Sequence, residues 1–81
     1  MLNPFAIFKL EQGTEVEVLE DGSTYTASHV SVSEYTHYGT DEEHAGLDRL
    51  GADGGYEVRM SDANAIIPED AVVDIISVED L

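Results

Sequence analysis

The chain has 81 residues, no cysteine, and 18 acidic residues against three basic ones, which gives a formal net charge of -15. A chain of this length can bury only one small core, and without cysteine it has no disulfide or thiolate metal site to reinforce that core. Three cations cannot form a stripe that follows a phosphate backbone, so the composition argues against nucleic acid as a partner.

The acidic residues are spread through the chain rather than collected in blocks, and 42% of the residues are hydrophobic. This favours a folded domain over a disordered tail. Charge of one sign repels itself at ordinary ionic strength and is mostly screened at molar salt, where the Debye length is about 3 Å. The composition resembles that of proteins from salt-accumulating halophilic archaea and their viruses. The alternative is an ordinary acidic domain that binds a basic partner.

The first ten residues are mostly apolar, but they lack the basic flank and the small-residue cleavage site of a secretory signal. No stretch approaches the ~20 apolar residues of a membrane-spanning helix. We therefore expect a protein of the cytoplasm or of a virus particle, with no signal peptide and no membrane span.

The chain opens with an apolar segment. Residues 5–8 are apolar throughout, Leu10 continues the pattern, and Gln12 and Gly13 then interrupt it. We interpret residues 1–12 as an apolar arm or a first strand, and residues 13–81 as a small β-barrel domain.

The next segment has the pattern of a β-hairpin. Residues 14–19 alternate apolar and acidic side chains, as a half-buried strand does. Asp21-Gly22 predicts a two-residue turn, because type I′ turns need positive φ. The returning strand, residues 23–32, changes its apolar phase between Ala27 and Val30, which predicts a bulge near His29. Residues 34–38 can continue as strand.

Residues 39–55 differ from the rest. Thr40 and Glu43 match a capping box, and Gly51 suits the position after a helix end, so a short helix is predicted over residues 41–50. An acidic loop with one helical turn is the alternative. The acidic residues between positions 41 and 53 could attract Ca²⁺ or Mg²⁺, but their spacing is not that of an EF-hand, and solvated helix charge explains them better.

The C-terminal third reads as further strands. Residues 56–60 alternate, residues 61–64 form a turn, residues 65–67 form a short strand, and Pro68 begins a turn or one 3₁₀ turn. Residues 71–78 close the chain as a strand. The predicted fold class is mostly β: a small antiparallel SH3-like barrel or two-layer sheet of five to six strands with one short helix.

The hairpin carries a family resemblance. Gly13 and Val16 before the Asp21-Gly22 turn, with Tyr25 following it, resemble the opening hairpin of SH3-like and Tudor-like barrels. The resemblance implies a small barrel and a role in peptide binding. Ligand cages in Tudor-like barrels use several aromatic side chains on neighbouring strands, and the tyrosines available here are Tyr25, Tyr35, Tyr38 and Tyr56.

No catalytic, cofactor or metal site can be assigned. The chain has no nucleophile elbow or glycine-rich phosphate loop. Its histidines, His29, His37 and His44, lack the spacing of a zinc site. The predicted site is instead an interface formed by Phe5, Ile7 and Phe8, because strand alternation would bury Phe8 with Leu10 and leave Phe5 and Ile7 on the other face.

We therefore expect a non-enzymatic structural or assembly module of a halophile, which binds protein partners in a homo- or hetero-oligomer. A capsid decoration, head–tail connector or tail protein of a virus would be such a module. One alternative is an acidic adaptor that binds a peptide or basic protein, which exposed tyrosines near Tyr25 and Tyr56 would favour. The other is a small metal- or ligand-binding regulator.

Overall fold

A computed structural model of the chain describes residues 4–38 and 54–78. These residues form six antiparallel strands and one 3₁₀ turn, which confirms the predicted mostly β fold class. The helix predicted over residues 41–50 and the acidic segment 41–53 lie outside the described residues. The elements are β1 (Ala6–Val18), β2 (Thr24–Val32), β3 (Glu34–Tyr38), β4 (Gly55–Arg59), β5 (Asn64–Pro68), the 3₁₀ turn Glu69–Ala71, and β6 (Val72–Ser77).

The strands form a single sheet in the order β2-β1-β5-β4-β3, with β6 also paired to β1. β1 is the central strand, because its N-terminal half pairs with β6 while its last residues, Glu17 and Val18, pair with β5. β2 lies along the opposite side of β1. Among the described strands, β2, β3 and β6 each have a single neighbour and are therefore edges.

The apolar segment at the start of the chain is the N-terminal half of β1. The strand continues through the predicted interruption at Gln12 and Gly13, where the chain bulges instead of ending. Gly13 accommodates the bulge with a φ of 88°, and the Thr14 hydroxyl donates to the Glu11 carbonyl across it at 2.5 Å. A glycine in a sequence suggests that a strand ends there. Here β1 continues through the glycine, because both halves of the strand pair with neighbouring strands.

The bulge belongs to β1 and not to β2. Residues 10–13 of β1 lie opposite Ser28 alone, between the pairs Lys9–His29 and Thr14–Ala27. This odd shift of register explains the change of apolar phase along β2. The bulge therefore lies at the predicted position along the hairpin, near His29, but the extra residues belong to β1 and not to β2.

The turn between β1 and β2 is longer than predicted. The Val18 amide donates to the Ser23 carbonyl at 2.8 Å, and the Gly22 amide donates to the Val18 carbonyl at 2.8 Å, within a connection of five residues, 19–23. Only Gly22 has positive φ, at 72°. Asp21 instead accepts hydrogen bonds from the Ser23 amide at 2.9 Å and the Ser23 hydroxyl at 2.7 Å. These bonds hold the pKa of the Asp21 carboxyl below its usual value, the hydroxyl contributing most.

The core lies on one face of the sheet and draws on four strands. Phe8 is its largest fully buried side chain, with Val16 further along β1 and Ile67 on β5. Two-residue alternation places these side chains on the core face, while Glu15, Lys9 and Asp74 remain exposed. No helix in residues 4–38 and 54–78 has the length and apolar character needed to cross a membrane. The buried cluster consists of Ala6, Phe8, Leu10, Val16, Val30, Val32, Val58, Ala65 and Ile67.

Candidate functional site

An aromatic cluster covers the end of the core next to the start of β1. The Phe8 ring makes edge-to-face contacts with Tyr35 on β3 and Tyr56 on β4, with centroid distances of 4.9 and 5.1 Å. Tyr35 and Tyr56 are 6.1 Å apart. The ring of Phe5 lies outside this group, 5.7 Å from Tyr35, and is 57% exposed. The cluster therefore extends from the core to the surface.

The cluster continues into a contact between a histidine and a carboxyl group. His37 lies on Tyr56, with the ring centroids 4.7 Å apart, and its Nε2 is 3.1 Å from Glu69 Oε2. That oxygen is shielded from water although the Glu69 side chain as a whole is 40% exposed. Burial of the Tyr56 ring, followed by the nearby Glu69 and Tyr35, raises the pKa of the Tyr56 hydroxyl above its usual value. The arrangement attaches the 3₁₀ turn to β3.

The predicted interface residues have different environments. Phe8 is fully buried within the chain, so it has no surface to offer a partner. Ile7 is half-buried on the face away from the core, where it lies opposite Ser31 and Ile76. Phe5 is the most exposed of the three.

A groove of about 780 Å³ runs beside β2. Val30 and Tyr25 of β2 line one side, and Met60 and Asp62, in the turn between β4 and β5, line the other. The Tyr25 hydroxyl donates to Met60 Sδ at 3.0 Å and bridges the two sides at one point. The groove is therefore apolar at its base and open to solvent.

Among the described residues that line the groove, Asp21 and Asp62 are acidic, His29 is a histidine, and none is a lysine or an arginine. Partial burial of the Tyr25 ring, with a smaller effect from the Asp62 carboxylate, raises the pKa of the Tyr25 hydroxyl above its usual value. The hydroxyl is thus neutral and a hydrogen-bond donor at physiological pH. The potential in the groove favours cationic groups.

The other residues considered from the sequence do not converge. His29 is exposed on β2 and His37 lies on β3, which are the two ends of the strand order. His44 lies outside the described residues. Within residues 4–38 and 54–78, no three His, Asp or Glu side chains are grouped as metal ligands. Tyr25 and Tyr56 do not share a cluster, because Tyr25 contacts Met60 while Tyr56 packs on Phe8.

Comparisons with known proteins give no relative. No family model matches the chain, and no curated protein and no solved structure matches it either.

Proposed function

We propose that this chain is a non-enzymatic assembly module whose copies contact one another through Phe5 and Ile7 at the start of β1. The observation that carries the proposal is the exposed aromatic ring of Phe5, 57% of whose surface is open to solvent beside a buried strand. Burying the exposed part of one such ring would contribute about 1–2 kcal/mol per copy, before the costs of association are subtracted.

The backbone around Phe5 supports this role. Its amide donates to the Val32 carbonyl at 2.6 Å, and its carbonyl accepts from the Val78 amide at 3.4 Å. The exposed ring is therefore presented on a backbone that is bonded on both sides. Association then loses less conformational entropy than it would through a loose terminus.

The charge of the chain supports a setting of high salt. Apolar contacts persist at molar salt, whereas exposed ion pairs are screened, so a halophilic assembly would use contacts such as Phe5. A capsid decoration, head–tail connector or tail protein of a haloarchaeal virus is the assembly that we propose. For the architecture we propose an SH3-like barrel, which the β1–β2 hairpin supports; a sheet this strongly bulged can curl toward closure.

Light scattering in molar salt tests the proposal. We expect the wild type to exceed the monomer mass, and both Phe5→Ser and the double variant with Ile7→Ser to be monomers with an unchanged circular dichroism spectrum. The single variant is needed because Ile7 is half-buried. Val73→Ser is the matched control, since Val73 is 65% exposed near the far end of β6 and should leave the mass unchanged.

A wild type that is monomeric up to about 1 mM would overturn the proposal, because an association worth about 4 kcal/mol, the most that two Phe5 rings would contribute, is half-populated there. Equal dissociation by Val73→Ser would also contradict it, since the effect would then not be specific to Phe5.

A further inference from the structure

Within residues 4–38 and 54–78, the outer edge of β2 has none of the usual protection against pairing with another chain. Edge strands in soluble proteins commonly carry a charge or a proline, or are covered. β3 has Glu34 and β6 has Asp74. β2 has no Asp, Glu, Lys, Arg or proline along its nine residues, and residues 22–33 are the longest stretch without Asp, Glu, Lys or Arg in a chain of which these types make up 26%.

Among the described strands, β2 pairs only with β1. Alternate residues of an edge strand direct their N–H and C=O groups away from the sheet, so β2 offers a row of donors and acceptors that no other described strand pairs with. The groove lies beside this edge. A strand added to β2 would place alternate side chains over Tyr25 and Met60.

We propose that β2 and its groove bind an extended, lysine- or arginine-bearing segment of a partner protein by strand addition. Main-chain hydrogen bonds to β2 supply the affinity, and the side chains that enter the groove supply the selectivity. Phe5 itself does not line the groove, but the two sites adjoin, because Pro4 and Val32 beside Phe5 do line it.

Charge complementarity identifies the occupant. Asp21 and Asp62 line the groove, His29 is its one basic type among the described lining residues, and the whole chain carries a net charge of -15. A cationic side chain entering the groove would lie near the Asp62 carboxylate and the face of Tyr25, which favours cations. A second copy of this acidic chain would instead bring further negative charge to the same edge.

Two-dimensional NMR with synthetic peptides tests the inference, at the lowest salt where circular dichroism shows an intact fold. The probe is a peptide of about ten residues that alternates lysine with threonine or valine, long enough to cover β2 at ~3.4 Å per residue. We expect the amides of β2 to shift and to become protected from hydrogen exchange. A peptide with glutamate in place of lysine should not bind, and one with a central proline should bind weakly because it lacks a main-chain donor.

A matched pair of variants distinguishes binding in the groove from general attraction of the peptide to the acidic chain. Asp62→Asn and Asp70→Asn each remove one negative charge, but Asp70 is an exposed residue of the 3₁₀ turn, away from the groove. Asp62→Asn should weaken the lysine peptide about threefold, as expected for one exposed ion pair, and Asp70→Asn should leave its affinity unchanged. Asp21 is not used because it accepts the Ser23 bonds of the turn.

Three outcomes would overturn the inference. The first is peptide-induced shifts on β3 or β6 in place of β2. The second is equal binding of the lysine and glutamate peptides. The third is strong exchange protection of the outward amides of β2 before peptide is added, which would mean that this edge is already covered.

Discussion

Replacing Phe8 with alanine removes the side chain on which the core and the aromatic cluster both depend. Phe8 is fully buried and lies in edge-to-face contact with Tyr35 and Tyr56. A buried Phe→Ala change costs about 3–5 kcal/mol, whereas a folded chain of this length is stable by only about 4–12 kcal/mol. Phe5→Ala should cost about 1 kcal/mol, because less than half of that side chain is buried.

Urea denaturation at fixed molar salt measures the difference, since guanidinium chloride is itself a salt and would change the screening of the carboxylates. With a urea slope of about 1 kcal/mol per molar, Phe8→Ala should move the midpoint by at least 3 M and Phe5→Ala by about 1 M. If the alanine variant does not fold, Phe8→Leu replaces it in the comparison, because that substitution should lower the free energy of unfolding by only about 1–2 kcal/mol. Equal losses for Phe5→Ala and Phe8→Ala would refute the assignment of Phe8 to the core and Phe5 to the surface.

The other predictions concern salt, cations, pH and the bulge. Lowering salt from molar to about 0.1 M lengthens the Debye length from about 3 to 10 Å, so the strand signal in circular dichroism and the melting temperature should fall; an unchanged melting temperature would contradict the halophile hypothesis. EDTA at fixed ionic strength should not change the melting temperature, and a clear loss would indicate a cation in residues 41–53. Because its pKa is lowered from 3.8, the Asp21 carboxylate contributes stability above that pH and loses it as pH falls through the folded value; Asp21→Asn should weaken the acid dependence of the melting temperature, and an unaltered acid limb would contradict this. Gly13→Ala should cost about 1–2 kcal/mol in urea denaturation through backbone strain alone, since φ is 88° and no atom lies within 4 Å of the added carbon; a neutral substitution would mean that the bulge relaxes.

Much of the fold follows from local sequence patterns. The alternation around Val16 and Val58 predicts β1 and β4 because one face of each strand is buried. The strand from Ala65 to Pro68 and the 3₁₀ turn after it follow from an apolar run ended by proline. These features depend on neighbouring residues alone, so a single sequence is enough to locate them.

Features set by pairing between distant strands could not be located in this way. A change of phase along β2 indicates a bulge, but a single strand cannot show which partner holds the extra residues. Likewise, Met60 and Asp62 lie across the groove from Tyr25 only because the turn between β4 and β5, which is distant in sequence, reaches β2. The one local signal for the groove is the uncharged stretch over residues 22–33, which is conspicuous in so acidic a chain.

The position of β1 between β2 and β6 has a consequence for how fast the chain can fold. Ala6 pairs with Val32 on one side and with Ser77 on the other, so the first strand gains its second partner about seventy positions later in the chain. Contacts of such high order slow folding, because loop-closure entropy is lost before the pairing compensates for it. The β1–β2 hairpin can form as soon as residues 6–32 leave the ribosome. The other edge of the N-terminal half of β1 stays unpaired with β6 until residues 72–77 have been synthesised. Phe8 and Leu10 are therefore buried on the β6 side only after synthesis has passed residue 77.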